Sequence, residues 1–272
     1  MDVSRTSKVH PGWRVSTVLL AGVVIIGGIF TLPQKEEVKV SELQPQASAA
    51  SIPSSSSTAG KAVEESPLTQ FVENSTGSQI TYMSLKDDFH TGTSTERFAR
   101  PALSLSKLYI AEYVLEHGTN NEKSLAMEMI KDSSDVSAEI LYEAYPESIE
   151  EIADQYGLLS TRGDAHWGYS VTSTYDLVKF VSALIIDDPD SPILEAMRNA
   201  SAVAADGYPQ DWGTAVLDEA EGSKWGWSDD LMLHSSVTFG EDYVVAAAVT
   251  GSKEDLTQLV ENQLGEVVSQ HG

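Results

Sequence analysis

The sequence predicts an α+β fold in which strands from both ends of the folded region form one antiparallel sheet, with a helical subdomain inserted between them. Three observations lead to this prediction. An alternating stretch suited to a strand comes early, at Gln79–Leu85, after one short predicted helix. Several segments with apolar residues at helical spacing follow, and three short strand-like runs come late, before a closing helix.

The predicted elements are bounded by recognisable end signals. Leu103–His117 ends at Gly118, and Thr174–Ile186 begins after Ser173, a residue type that caps helix N-termini. The other predicted helices are Leu68–Asn74, Glu122–Ile130, Val136–Ala144, Ser148–Tyr156, Pro192–Ala200 and Lys253–Ser269. The late strands are Ser223–Ser228, Met232–Thr238 and Tyr243–Thr250, separated by turn-like acidic and glycine residues.

The region before the folded part predicts a membrane anchor and a tether. Residues 1–14 form a basic tail, and residues 15–32 carry no charge over a length that nearly crosses a bilayer of ~30 Å. The basic flank predicts a single-pass protein with its N-terminus in the cytoplasm and its domain outside. A cleaved signal peptide followed by secretion is the alternative. Residues 33–66 are rich in Ser, Ala, Gln and Pro and are read as a disordered linker, which leaves 67–272 as the folded domain.

Composition excludes several classes of function. The 41 acidic residues outnumber the 17 Lys and Arg and leave a net charge of −24, so that binding to nucleic acid is not expected. The absence of cysteine excludes disulfides, thiolate nucleophiles and cysteine-based metal sites. Six scattered histidines without an H-E-x-x-H pattern predict no metal site, and no cofactor is predicted.

Ser104 and Lys107 are the first candidates for chemistry. They lie three positions apart at the start of a predicted helix, so that both side chains lie on one face within reach of each other. A neutral lysine amine could take the proton of the serine hydroxyl if burial lowered the pKa of the amine. A capping serine beside a solvated lysine is the structural alternative.

Two further motifs follow in order, and the set carries a family resemblance. They are Ser134-Asp135-Val136, between two predicted helices, and Lys224-Trp225-Gly226-Trp227, on the first late strand. Together with Ser104-x-x-Lys107 they resemble the S-x-x-K, S-D-N and K-T-G motifs of the penicillin-recognising serine hydrolases, which include class A β-lactamases and D-alanyl-D-alanine peptidases. The resemblance covers most of residues 68–268, implies the serine β-lactamase/transpeptidase-like fold, and marks this chain as a reduced and divergent member.

The resemblance implies a role for each motif residue. Ser104 would be the nucleophile and Lys107 its base, Ser134 would relay a proton to the leaving group, and Lys224 would face a substrate carboxylate. The backbone N–H groups of Ser104 and Trp227 would form the oxyanion hole.

The substrate-binding positions would be Val136, Trp225 and Gly226. Val136 replaces the asparagine of the family, and Trp225 replaces a threonine and would add bulk beside the cleft. Trp167, Trp212, Trp225 and Trp227 are candidates for an aromatic wall over that cleft.

Two functions are predicted from these residues. The first is an extracytoplasmic serine acyl-hydrolase of β-lactamase or D,D-peptidase type, acting on a β-lactam, a peptidoglycan peptide or an ester. Because the E-x-x-x-N loop that carries the deacylating glutamate of class A enzymes is missing, its acyl-enzyme is expected to persist. The second is a degenerate binding module of the cell envelope that keeps the fold without catalysis.

Overall fold

The computed structural model describes residues 77–87 and 89–271. The strands are β1 (Ser78–Ser84), β2 (His90–Gly92), β3 (Arg100–Pro101), β4 (Val171–Thr172), β5 (Gly222–Trp227), β6 (Leu233–Phe239) and β7 (Tyr243–Thr250). The α-helices are α1 (Lys107–His117), α2 (Asn120–Asp132), α3 (Asp135–Ala144), α4 (Ser148–Tyr156), α5 (Thr174–Asp187), α6 (Pro192–Arg198) and α7 (Lys253–His271). The predicted basic tail, anchor, linker and helix Leu68–Asn74 lie outside the described residues.

Both ends of the folded region contribute to one antiparallel sheet, as predicted. The strand order is β2-β1-β7-β6-β5, with β5 at an edge. The early strand β1 pairs with the late strand β7, so that Tyr82 lies opposite Val245. Helices α1 to α6 lie between β1 and β5 in the chain and form the predicted helical insertion. The short pair β3–β4 was not predicted, because two residues per strand carry no periodicity.

Two apolar cores cover the two faces of the sheet. Alternation along β7 assigns Val244 and Ala246 to a core shared with α1 to α6. Val245 and its neighbours on the same face belong to a second core, which contains Leu256 and Val260 of α7. The molecule is therefore a three-layer sandwich of helices, sheet and helix, and residues on the two faces of β5 must lie in different environments.

The predicted helix Leu103–His117 begins differently from the prediction. Its first turn, Leu103–Ser106, is a 3₁₀-helix, and the α-helix begins only at Lys107. Leu103 has φ of 54°, a left-handed conformation that is costly for a residue with a side chain. The tight first turn places Ser104 immediately before α1.

The membrane anchor predicted at residues 15–32 stays a prediction. Across residues 77–271, the described helices include none with both the length and the apolar character needed to cross a bilayer.

Candidate active site

The structure places the Ser104 hydroxyl and the Lys107 amine in direct contact. Lys107 Nζ lies 2.8 Å from Ser104 Oγ. Ser104 is 8% exposed, and Lys107 is fully buried, so that the amine faces the hydroxyl without competing bulk water. Burial lowers the pKa of Lys107, while the nearby Asp135 carboxylate acts in the opposite direction.

Lys107 is held by three further groups. Its Nζ donates to the carbonyl oxygen of Ser133 at 2.6 Å and to Asp135 Oδ1 at 2.6 Å. The indole ring of Trp167 covers the amine, with its centroid 4.6 Å from Nζ. The amine is thus oriented toward Ser104 by fixed contacts, and one of them is an ion pair that favours its charged form.

Ser133, and not the predicted Ser134, meets the lysines. Lys224 Nζ donates to Ser133 Oγ at 2.6 Å, and the carbonyl oxygen of Ser133 accepts from Lys107. Ser134 instead caps α3, where its Oγ accepts from the backbone N–H of Ser137 at 3.2 Å. The predicted convergence of Ser134 on the lysines is therefore not observed.

The backbone at the end of α2 explains this change of register. Ser133 has a left-handed φ of 58°, and Ser134 follows with an extended ψ of 120°. This turn brings the carbonyl oxygen of Ser133 and the carboxylate of Asp135 to Lys107. Val136, predicted to contact substrate, is 71% exposed. If Ser133 takes the first position of the motif, Asp135, and not the predicted Val136, takes the third position, which is asparagine in the family that the sequence resembles.

Lys224 reaches the site from β5. It is fully buried, and besides Ser133 Oγ its Nζ contacts the carbonyl oxygen of Trp225 at 3.3 Å. Burial, followed by the positive charge of Lys107, holds the pKa of Lys224 well below its ordinary value. Lys224 is thus placed to exchange a proton with Ser133, but its amine is enclosed by the protein.

Gly226 allows β5 to approach the candidate nucleophile. A Cβ at this position would lie 3.1 Å from the backbone N of Ser104 and 2.9 Å from Cβ of Leu103. This separation is tighter than ordinary packing, so that a side chain here would push the Ser104 backbone away. The close approach places the backbone of the adjacent Trp227 next to the turn that carries Ser104.

Trp225 and Trp227 lie on the same face of β5, because residues two apart along a strand point to one side. Trp225 is 4% exposed, packs in the core shared with α7, and donates from Nε1 to the carbonyl oxygen of Trp212 at 2.8 Å. The prediction that Trp225 adds bulk beside the cleft is wrong, because its ring lies on the face of β5 opposite to Lys224 and Gly226, which face Ser133 and Ser104. Trp227, at the end of the strand, is one of the residues that line the cleft, and its ring packs against the edge of the same core. That ring stacks on Tyr208 at 4.9 Å, and its Nε1 donates to Asp206 Oδ2 at 3.0 Å.

A cleft of about 570 Å³ opens over Ser104. Its lining residues are Pro101, Leu103, Ser104, Asp135, His166, Trp167, Gly168, Tyr169, Asp206, Trp227, Ser228, Asp229 and Leu233. Of the predicted aromatic wall, Trp167 and Trp227 are present, and Trp212 lies in the core with Trp225. Sequence reasoning missed Ser133, Asp206, Asp229 and Tyr169; only the Ser133-Ser134 pair offered a signal, because it allows the motif to be read in two registers.

Two kinds of chemistry are not supported by the groups around the cleft. The lining contains no glutamate that could activate a deacylating water. Within the described ranges, no group of three His, Asp or Glu side chains is arranged to hold a metal ion.

Comparison with solved structures identifies the fold. A halotolerant bacterial β-lactamase is similar with a TM-score of 0.59 and 13% identity, over 75% of this chain and 99% of its own. A β-lactamase from Streptomyces albus G gives 0.58 and 12%, over 74% and 97%. Penicillin-binding protein D2 from Listeria monocytogenes, in a cefotaxime-bound form, gives 0.53 and 18%, over 70% and 96%. No protein-family model matches the sequence, and no curated protein matches it significantly.

These similarities confirm the fold that the resemblance implied. The chain has the fold shared by serine β-lactamases and penicillin-binding proteins, in a sequence that has diverged far from both. At such low identity, the roles of the individual side chains depend on the geometry of the site.

Proposed function

We propose that the protein is a serine acyl-hydrolase that forms an acyl-enzyme at Ser104. The observation that carries the proposal is the 2.8 Å contact between Ser104 Oγ and Lys107 Nζ, in which the amine is fully buried and its pKa is lowered. A buried amine with a lowered pKa is the kind of base that can activate a serine hydroxyl near neutral pH.

The acylation step follows from these positions. Neutral Lys107 takes the proton of Ser104 as Oγ attacks the substrate carbonyl and the new C–O bond forms. The backbone N–H groups of Ser104 and Trp227 would stabilise the oxyanion, each contributing about 2.7–4 kcal/mol to the transition state. As the bond to the leaving group breaks, Ser133 gives that group its proton and recovers one from Lys224, whose Nζ lies 2.6 Å away. The step requires the ammonium form of Lys224, which ends neutral as Lys107 ends protonated, so that the two lysines carry one positive charge before and after acylation.

The lining of the cleft favours a long-lived acyl-enzyme. Hydrolysis of the ester needs a water activated by a base beside Ser104. The lining contains no glutamate, and its aspartates and histidine make no hydrogen bond to Ser104 Oγ, whose side-chain partner is Lys107. Lys107 can accept a proton from water only after it has lost the one taken from Ser104. Turnover should therefore be slow compared with acylation.

The substrate is a β-lactam, a peptidoglycan peptide or an ester, and the site of action is outside the cytoplasm. The first two are suggested by the structural neighbours, which are named as β-lactamases and penicillin-binding proteins. The location rests on the sequence of residues 1–32, which is typical of an anchor with a cytoplasmic N-terminus.

A binding module without catalysis is the second candidate. Asp135 favours it, because its carboxylate lies 2.6 Å from Lys107 Nζ and stabilises the protonated amine, which cannot act as a base. In that case the cleft would bind a ligand of the cell envelope without forming a covalent bond.

Acylation by a neutral activated ester distinguishes the two candidates. The protein is mixed with p-nitrophenyl acetate, and mass spectrometry locates the acetyl group. Acetylation of Ser104 that is lost in Ser104→Ala and kept in Ser106→Ala supports the hydrolase, because Ser106 is also buried but donates only to the carbonyl oxygen of Leu103. A folded protein that acquires no acetyl group, and that a fluorescent penicillin does not label either, is a binding module.

A further inference from the structure

We propose that the cleft selects acyl substrates that carry a cationic ammonium group, and that it disfavours those with a carboxylate near the scissile bond. This inference deepens the proposed function and rests on Ser104 being the acylated residue. It follows from the charges and ring faces that a substrate would meet in the cleft.

The cleft offers no free cation to a substrate carboxylate. Lys224, which the resemblance assigns to that task, is fully buried and bound to Ser133 Oγ and to a backbone carbonyl. Lys107 is fully buried and paired with Asp135. Trp225 occupies the position of the family threonine, and its side chain lies on the other face of the sheet. An anionic substrate would lose its hydration without gaining a partner.

Carboxylates line the cleft that a substrate would enter. They are those of Asp135, Asp206 and Asp229, and the lining contains no lysine or arginine. The side chain of Asp135 is 67% exposed despite its contact with Lys107. Asp206 has a fixed orientation, because its two carboxylate oxygens accept from the backbone N–H of Tyr208 at 2.9 Å and from Trp227 Nε1 at 3.0 Å. The field inside the cleft therefore attracts a cation and repels an anion.

Aromatic residues line the same cleft, and they are an independent feature that suits an ammonium group. Tyr169 lines it with 73% of its surface exposed, and Trp227 lines it with one face of its ring stacked on Tyr208 and its Nε1 bound to Asp206. Ring faces attract ammonium groups, most strongly when the group is poorly hydrated, as a quaternary ammonium is. Trp167 already covers the amine of Lys107 in this way. The cleft thus combines a nucleophile, ring faces and carboxylates within one volume.

The test compares three p-nitrophenyl esters of similar size. Their acyl chains end in a trimethylammonium group, a tert-butyl group or a carboxylate, and the burst of p-nitrophenolate gives the second-order rate constant of acylation. We expect the order cation, neutral, anion, with at least a tenfold difference between the first and the last at low salt. In the Asp206→Asn/Asp229→Asn double variant this ratio should fall at least threefold.

A matched variant distinguishes the effect of the cleft carboxylates on the rate ratio from the effect of the net charge of the whole chain. Asp190→Asn removes a charge from the exposed segment between α5 and α6, outside the cleft, and should leave the ratio unchanged. The proposal is overturned if the anionic ester reacts as fast as the cationic one. It is also overturned if the double variant keeps the full ratio, because the selectivity would then come from the overall field.

A binding measurement keeps the inference distinct from the proposed function. Binding of benzyltrimethylammonium and of benzoate to Ser104→Ala is measured by calorimetry, with and without the two asparagine substitutions. If no ester acylates the protein but the ammonium binds and depends on Asp206 and Asp229, the acyl-hydrolase fails and the cationic ligand class stands. If the esters acylate Ser104 without preference and the ammonium does not bind, only the inference fails.

Discussion

Replacement of Asp135 by asparagine should make Lys107 a better base. The carboxylate lies 2.6 Å from Lys107 Nζ, and the side chain of Asp135 is largely exposed. The dielectric constant of water therefore gives a lower limit for the energy of attraction between the two charges. At this distance the limit is about 1.6 kcal/mol. This energy favours the protonated amine, and each 1.36 kcal/mol corresponds to a tenfold change in the protonation equilibrium.

The direction of the change in acylation rate follows from the form of Lys107 that acts in acylation, which is the neutral amine. Loss of the carboxylate lowers the pKa of Lys107, and the neutral fraction rises at any pH at which most of the amine is still charged. Asp135→Asn should therefore acylate about tenfold faster than the parent on the rising part of the pH profile. It should reach the same plateau at alkaline pH.

Stopped-flow acylation by a neutral ester across a pH series measures this effect. Asp190→Asn serves as the control, because it removes the same charge from a surface position outside the cleft. A slower Asp135→Asn, or a profile displaced toward alkaline pH, would refute the reasoning. Either result would mean that the carboxylate contributes more by orienting Lys107 than by holding its proton.

Two further predictions concern Ser133 and Lys224. Ser133→Ala should slow acylation by about 10²–10⁴-fold, the usual contribution of a positioned proton donor. Ser134→Ala should only remove the cap of α3, which lowers the unfolding free energy by about 1 kcal/mol. Equal effects of the two variants on the acylation rate would contradict the assignment of Ser133. The pKa of Lys224 is lower in the folded chain than in the unfolded chain, so the unfolded chain binds more protons and the unfolding free energy should rise with pH between the lowered value and the ordinary 10.5. Urea denaturation at several pH values measures this increase in unfolding free energy. The increase should be smaller in Lys224→Met than in the parent and unchanged in Lys131→Met. If Lys224→Met shows the same increase as the parent, the amine of Lys224 does not titrate in that range.

Most helices and strands could be predicted from local patterns. Ser148–Tyr156 and Tyr243–Thr250 have the predicted bounds, and α5 begins after the predicted cap, where Ser173 Oγ accepts from the backbone N–H of Asp176. Apolar periodicity and end signals are carried by neighbouring residues, so that a sequence displays them directly. The first turn of Leu103–His117 differs because its 3₁₀ geometry depends on packing against β5, which lies more than a hundred residues away.

The contact between Ser104 and Lys107 was predicted from spacing alone, because residues three apart on a helix are neighbours. The sequence alone does not show whether Ser133 or Ser134 contacts the two lysines. Both serines fit the second motif, and the left-handed backbone at Ser133 decides which one faces the lysines. A left-handed residue after a helix is usually glycine or asparagine, so a serine at this position does not signal that conformation.

The amino-acid sequence by itself determined the order of the elements, the absence of cysteine chemistry, and the pairing of a serine with a lysine at a helix start. Only the tertiary structure decided that Asp135 contacts Lys107, that Lys224 is enclosed, and that Trp227 lines the cleft while Trp225 does not. The physical reason is the range of the interactions. Helical spacing and charge composition are local or additive properties, but the sign of the field in a cleft depends on side chains that the fold brings together from distant segments.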